Sequence, residues 1–175
     1  HMNIDLIRAW DQGVLKPLEK LDVHKRGLRH KAVSVFLISD NNILLQKRAS
    51  IKYHTPGLWA NTCCTHPLWS EDPEECAHRR LKEELGIELS ELLYKNKIDY
   101  KADVGNGLIE NESVDVFVGE IEEKEKLKTR LNHNEVAEVR WIRHETLKEE
   151  ISLSPMKFTP WLRIYIQDHF DQIIN

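Results

Sequence analysis

The stretch Leu108–Val118, LIENESVDVFV, constrains this chain more than any other segment. A β-strand sends alternate side chains to opposite faces. One face of this strand carries Leu108, Glu110, Glu112, Val114, Val116 and Val118; the other carries Ile109, Asn111, Ser113, Asp115 and Phe117. Two carboxylates therefore share a face with four aliphatic residues. Burying an unpaired carboxylate is costly, and two side by side repel each other. A metal ion, another cation or a proton must resolve the conflict. The alternatives are a strand that begins only at Ser113, leaving both glutamates in water, or pairing with Arg or Lys.

The neighbouring segments suggest what this strand joins. Ala32–Ser39 and Ile43–Arg48 flank Asp40-Asn41-Asn42 and predict a hairpin. Residues 50–62, with Pro56-Gly57, read as loop. Asp72, Pro73 and Glu75 form a helix-start signature, Ala77, Leu81 and Leu85 give a buried stripe, and Gly86 stops the helix. Further strands are predicted at Lys97–Ala102, Leu108–Ile121 and Glu135–Ile142, and helices at Glu145–Ile151 and Pro160–Ile174. The mixture indicates an α+β fold, a mixed α/β/α sandwich with a mixed sheet flanked by helices. With only 7 Gly and 6 Pro, and neither repeat nor linker, residues 1–175 read as a single domain. His1-Met2 reads as a cloning remnant.

Composition narrows the function classes. Lys+Arg 25 against Asp+Glu 29 gives a net charge of −4, which argues against nucleic acid or an anionic membrane as partner. The longest apolar run, Ala32–Ile38, is far short of the ~20 residues that a spanning helix needs. Three cysteines, Cys63, Cys64 and Cys76, show no disulfide framework and suit a reducing cytoplasm.

Two more constellations carry chemistry. In Asn61–Pro67, NTCCTHP, an extended backbone points Cys64 and His66 the same way and Cys63 the other. Cys64 and His66 are either metal ligands, a nucleophile or acid/base pair, or a buried thiol beside a structural histidine. On the helix, Arg79 with Glu83 and Arg80 with Glu84 stand four apart. They are either surface ion pairs or a face that offers Glu84 to a metal and Arg80 to a phosphate. Taken alone, Lys20, Arg48 and Lys52 read as surface residues, and Tyr100 and Trp161 as core aromatics.

Glu71–Ile87, EDPEECAHRRLKEELGI, resembles the Nudix box, G-x5-E-x7-R-E-U-x-E-E-x-G-U, where U is a bulky aliphatic. Glu71, Arg79, Leu81, Glu83, Glu84 and Gly86 fit it; Thr65 replaces the leading Gly, and Arg80 replaces a magnesium-site glutamate of the hydrolases. The series H-x5-H, KAVSVFLIS, PGLWANTCCTHP, the altered box, DYKA, ENE and TPW is similar to the type I isopentenyl-diphosphate isomerases over roughly residues 3–170. The resemblance implies a Nudix-like fold and an isomerase that interconverts isopentenyl and dimethylallyl diphosphate in isoprenoid biosynthesis. It implies Cys64 and Glu112 as acid/base pair, Tyr100 as assisting phenol and Trp161 as cation-stabilising aromatic. It implies His24, His30, His66, Glu110 and Glu112 as ligands of manganese or zinc, and Glu84 as part of a magnesium site held against the diphosphate. Lys20, Arg48, Lys52 and Arg80 would bind that diphosphate. The substrate would be a small isoprenoid diphosphate and the protein a monomer. The competing readings are a Nudix pyrophosphohydrolase and a structural zinc module closed by Cys64, His66, His24 and His30.

Overall fold

A computed structural model describes residues 6–174; His1-Met2 lies outside them. Among the described residues nine strands form one mixed sheet. Its axis is β3 (Arg29–Ser39). Ala32, Val33, Val35, Phe36 and Leu37 are all buried, the pattern of a strand covered on both faces. One edge of β3 pairs in parallel with β8 (Leu108–Glu120), from Arg29 opposite Asn111 to Ile38 opposite Glu120. The other edge is shared, all antiparallel, by β1 (Leu6–Asp11) at His30, β6 (Cys63–Thr65) at Val33–Val35 and β4 (Asn42–Arg48) at the hairpin end. Four strands lie outside these: β2 (Val14–Glu19) on β1, β5 (Trp59–Ala60) and β9 (Val136–Arg143) on β4, and β7 (Leu93–Gly105) on β8.

The two sheet faces bury different helices. Val33, Val35, Leu37 and Phe117 pack with Ala77, Leu81 and Leu85 of α2 (Pro73–Leu85), as the stripe predicts. The opposite face, with Phe36, Val114 and Val116, is covered by α3 (His144–Leu153), α4 (Pro160–Asp168) and α5 (Phe170–Ile174) through Leu147, Ile151, Leu162, Tyr165 and Ile173. The predicted α/β/α arrangement is therefore observed. At the start of α2 the Asp72 N–H donates to Glu75 Oε1 at 3.1 Å, and Gly86 closes the helix at φ 67°.

Several boundaries differ from the sequence expectation. The loop 50–62 contains β5, too short to show a period. β7 extends past both predicted ends, because pairing with β8 holds residues that alternation alone does not mark. The predicted helix Pro160–Ile174 is two helices: His169 leaves helical geometry at φ −132°, and Gln172 N–H donates to its carbonyl at 3.1 Å. The β1–β2 hairpin turns through Gln12 and Gly13, both at positive φ, and leads into α1 (Lys20–Arg26). No helix among the described residues is long and apolar enough to cross a membrane.

Candidate active site

Directly opposed residues on neighbouring strands share a face. Across β3–β8, His30 stands opposite Glu112; across β3–β6, Ser34 stands opposite Cys64; across β7–β8, Tyr100 stands opposite Glu112. One face of four strands thus gathers His30, Ser34, Cys64, Tyr100 and Glu112, and the period of two adds Glu110. β8 starts at Leu108, not Ser113, so both glutamates lie within the strand, each 4% exposed. The alternative of solvated glutamates is excluded.

His24 from α1, His30, His66, Glu110 and Glu112 each offer one ligand atom, all within 4.8 Å of one another. The three imidazole centroids stand 4.7, 5.1 and 5.1 Å apart. Two of these rings are oriented by the backbone: Nδ1–H of His24 donates to the Lys20 carbonyl at 2.7 Å, and Nδ1–H of His30 to the Leu28 carbonyl at 2.8 Å. That tautomer, assigned from the bonding pattern, turns both Nε2 lone pairs inward. His24 Nε2 is buried with no hydrogen-bond partner. His30 Nε2 and His66 Nε2 lie 2.9 and 3.0 Å from the same oxygen, Oε2 of Glu112. Burial pushes His24 down to about 4 and His66 well below the ordinary imidazole range, so both are neutral at pH 7. Burial and the charge of Glu112 push Glu110 well above the usual carboxylate range. Neutral lone pairs converging on a buried carboxylate repel it unless a cation stands among them. The orphaned His24 nitrogen and the mixed nitrogen and oxygen donors fit a divalent metal. No cysteine belongs to this group, which removes the structural zinc module.

Beside this group lies a cavity lined by Cys64, Tyr100, Trp161, Lys20, Arg48, Lys52, Arg80 and Glu84, together with His66, Glu110 and Glu112. His24 and His30 stand behind it. Cys64 Sγ donates to Asn61 Oδ1 at 2.9 Å and lies 3.5 Å from Ser34 Oγ, which in turn is 2.8 Å from Tyr165 OH. Burial pushes the Cys64 thiol up to about 12, so it holds its proton. Cys63 faces away, fully buried in the α2-side core, as the extended segment predicts. Tyr100 OH donates to Glu110 Oε2 at 3.1 Å. Thr159 caps α4 by accepting the Leu162 N–H, which fixes Trp161 in the first turn. The Arg48 guanidinium lies 5.3 Å from the Trp161 ring centroid, so that ring already takes a cation on its π face.

Four basic side chains converge on the cavity. Lys20 comes from the start of α1, Arg48 from the end of β4, Lys52 from the loop beyond it and Arg80 from α2. Burial, then repulsion from Lys52, Arg80 and Arg48, lowers the Lys20 pKa. Glu84 stands apart from the metal group: Gln46 Nε2 holds its Oε1 at 2.9 Å and Arg80 its Oε2 at 2.7 Å. Within the altered box, Arg79 grips Glu71 at 2.5 and 2.9 Å and Glu83 at 2.9 Å. Sequence reasoning missed Gln46, His54, Asn61 and Glu135. His54, Asn61 and Glu135 lie outside regular strands, where no period marks them, and Gln46 is one of several polar residues in strand β4. His54 has a signal only in three dimensions: it is buried between the His24 and Trp161 rings, 6.0 and 6.1 Å away.

The fold and the box define a Nudix-class protein. A family profile described as "NUDIX domain" matches residues 28–162. A solved structure from Deinococcus radiodurans superposes with a TM-score of 0.67 at 17% identity, covering 94% of this chain and 96% of that one. A MutT NUDIX hydrolase from Burkholderia pseudomallei gives 0.62 at 22%, covering 81% and 98%. Identities this low speak for the fold alone. Among curated proteins, the isopentenyl-diphosphate Delta-isomerase of Dinoroseobacter shibae is 54% identical over 171 residues, 98% of this chain and 96% of that protein. That of Rhodobacter capsulatus is 52% identical over 169 residues, 97% and 95%. The chain belongs to the isopentenyl-diphosphate Delta-isomerases of the Nudix family.

Proposed function

We propose that this protein interconverts isopentenyl diphosphate and dimethylallyl diphosphate in isoprenoid biosynthesis. The observation that carries the reading is a cavity with proton-bearing groups at both edges of β3, an aromatic wall and a basic end. The reaction adds a proton to the terminal alkene carbon, passes through a tertiary cation, and removes a proton from the carbon next to it. Cys64 and Glu112 face the cavity from strands on opposite edges of β3 and serve as the two proton-transfer groups. Asn61 and Ser34 orient the Cys64 thiol, and Tyr100 orients Glu110 beside Glu112. Trp161 offers its π face to the cation, and the core under α4 keeps water from it. Lys20, Arg48, Lys52 and Arg80 take the diphosphate.

His24, His30, His66, Glu110 and Glu112 would hold manganese or zinc, and Glu84 would help hold magnesium brought by the diphosphate. Bound there, such ions would supply positive charge that tunes the Glu112 carboxyl and balances the diphosphate, which stays attached to the carbon chain throughout. The same reading has all site residues supplied by one chain, a single-domain monomer, with three free cysteines suited to the cytoplasm.

Incubation of the metal-loaded protein with isopentenyl diphosphate in D2O, followed by NMR, tests the proposal. Dimethylallyl diphosphate carrying deuterium in the newly formed methyl group is expected. Steady release of phosphate or isopentenyl monophosphate instead would favour the pyrophosphohydrolase.

A further inference from the structure

We infer that Glu135 is a positioning residue of the basic end of the cavity, holding Lys52 and Arg80 where they meet a diphosphate; this rests on reading those bases as diphosphate ligands. Glu135 Oε2 takes the Lys52 ammonium at 2.5 Å, and its Oε1 takes Arg80 Nη2 at 3.3 Å. All three side chains are partly buried, at 26%, 17% and 21% exposure. The three residues come from different elements: Lys52 from the loop after β4, Arg80 from α2, Glu135 from the turn entering β9.

The Glu135 backbone is fixed relative to both partners. Its carbonyl accepts the Ala49 N–H at 2.9 Å, which anchors it to the root of the Lys52 loop. Its own N–H donates to the Asn132 carbonyl at 2.9 Å, and Asn132 N–H donates to the Glu84 carbonyl at 2.9 Å, which anchors the turn to the end of α2. The turn that carries Glu135 is thus the backbone neighbour common to both cation-bearing elements, and the carboxylate bridges their side chains.

Other carboxylates nearby are already engaged. Glu84 is shared by Gln46 and Arg80, and Glu83 by Arg79 and Arg80. Lys20, Arg48, Lys52 and Arg80 repel one another across the cavity, and Glu135 counters that repulsion, raising the Lys20 pKa where the other three lower it. Burial works against an ionised Glu135, yet Lys52 and Arg80 hold its pKa below the ordinary value. An isolated surface pair would be worth little, but a partly buried carboxylate shared by two cations organises both.

Two physical effects predict opposite signs for its removal. If Glu135 only occupied the place of an incoming anion, Glu135→Gln would bind that anion more tightly. If it positions Lys52 and Arg80, the same change frees Lys52 to swing into solvent and weakens binding. The decisive measurements are calorimetric titration with inorganic pyrophosphate and steady-state isomerisation of isopentenyl diphosphate by wild type, Glu135→Gln and Glu135→Asp. For Glu135→Gln, weakening of pyrophosphate binding and a rise in KM on the order of ten-fold are expected, the scale of losing one charge-assisted contact. Its kcat should stay within about three-fold. Glu135→Asp, charged but shorter, should fall between wild type and Glu135→Gln. Tighter pyrophosphate binding, an unchanged KM, or a loss confined to kcat would overturn the inference. Wild-type protein that isomerises the substrate but binds no pyrophosphate would instead refute the assignment of the bases, and the inference with it.

Discussion

Adjacent cysteines make a sharp test of how the β6 segment is read. Cys63 is fully buried among Val33, Val35, Leu37, Ala77 and Leu81 on the α2 side of the sheet. Cys64 faces the cavity on the other side, with Asn61 Oδ1 2.9 Å from its sulfur. In Cys63→Ala, removing one buried atom of roughly methylene size, plus the void it leaves, costs about 1–1.5 kcal/mol. For a chain of this size that lowers Tm by about 2–6 °C. The isomerisation rate should stay within about three-fold, because nothing on the cavity side changes. Cys64→Ala loses a wall group of the cavity, so its stability should change by less than about 1 kcal/mol. Its rate should fall by at least ~10²–10⁴-fold, equivalent to about 3–5 kcal/mol of transition-state stabilisation. Metal content should be that of the wild type, since Cys64 is outside the five-residue group. Thermal denaturation, the D2O assay and elemental analysis on both variants settle the matter. An inactive Cys63→Ala with an active Cys64→Ala, or equal losses in both, would refute the facing of this segment and the role given to the thiol.

Glu112→Gln should lose metal as well as rate, because its Oε2 is the common neighbour of His30 Nε2 and His66 Nε2 and a neutral amide oxygen is a much weaker ligand for a divalent ion than a carboxylate; elemental analysis beside the D2O assay checks it, and full occupancy would contradict the ligand set. Gly86→Ala should cost about 2–3 kcal/mol, because φ is 67° and the added Cβ would lie 2.6 Å from Arg130 Cβ and 3.0 Å from its backbone. Gly13→Ala, at φ 79° with nothing within 4 Å, should cost only the left-handed term of about 1–2 kcal/mol, so comparing the two melting temperatures isolates the close approach.

What the sequence discloses depends on how local the determining physics is. α2 was legible because its caps and stripe lie within fifteen consecutive residues, Asp72–Gly86, and each device acts on its own neighbours. β8 was legible because its alternation is long enough to state a face, and the two glutamates on that face are expensive without a partner. β1, β2 and α1 were not, since among them burial reaches only Ile7, Ala9, Val23 and His24, too few to set a period. The metal group was half legible. Its carboxylates follow from strand parity, but His24, His30 and His66 are united only by α1 packing on β8 and by β6 and β8 flanking β3, which spacing in the chain does not encode. The family resemblance supplied that union before the fold did. Glu135 and His54 had no signal of either kind: Glu135 owes its place to backbone contacts of its turn, and His54 to Arg48, which donates to its carbonyl, and to the rings around it.

The altered box shows how one fold changes its chemistry. The scaffold pairs survive, with Arg79 still gripping Glu71 and Glu83. Of the two departures, Thr65 for the leading Gly and Arg80 for a glutamate, the second reverses a charge. A change from −1 to +1 shifts the local charge by two units at a point that lines the cavity. A carboxylate there would offer a metal ligand. A guanidinium there offers a donor to an anion and, through Glu84 and Glu135, ties α2 to Gln46 and the Lys52 loop. Cys64 and Tyr100 line the same cavity and offer proton transfer as chemistry. One sheet-and-helix scaffold can thus serve either reaction, and the side chains lining its cavity decide which.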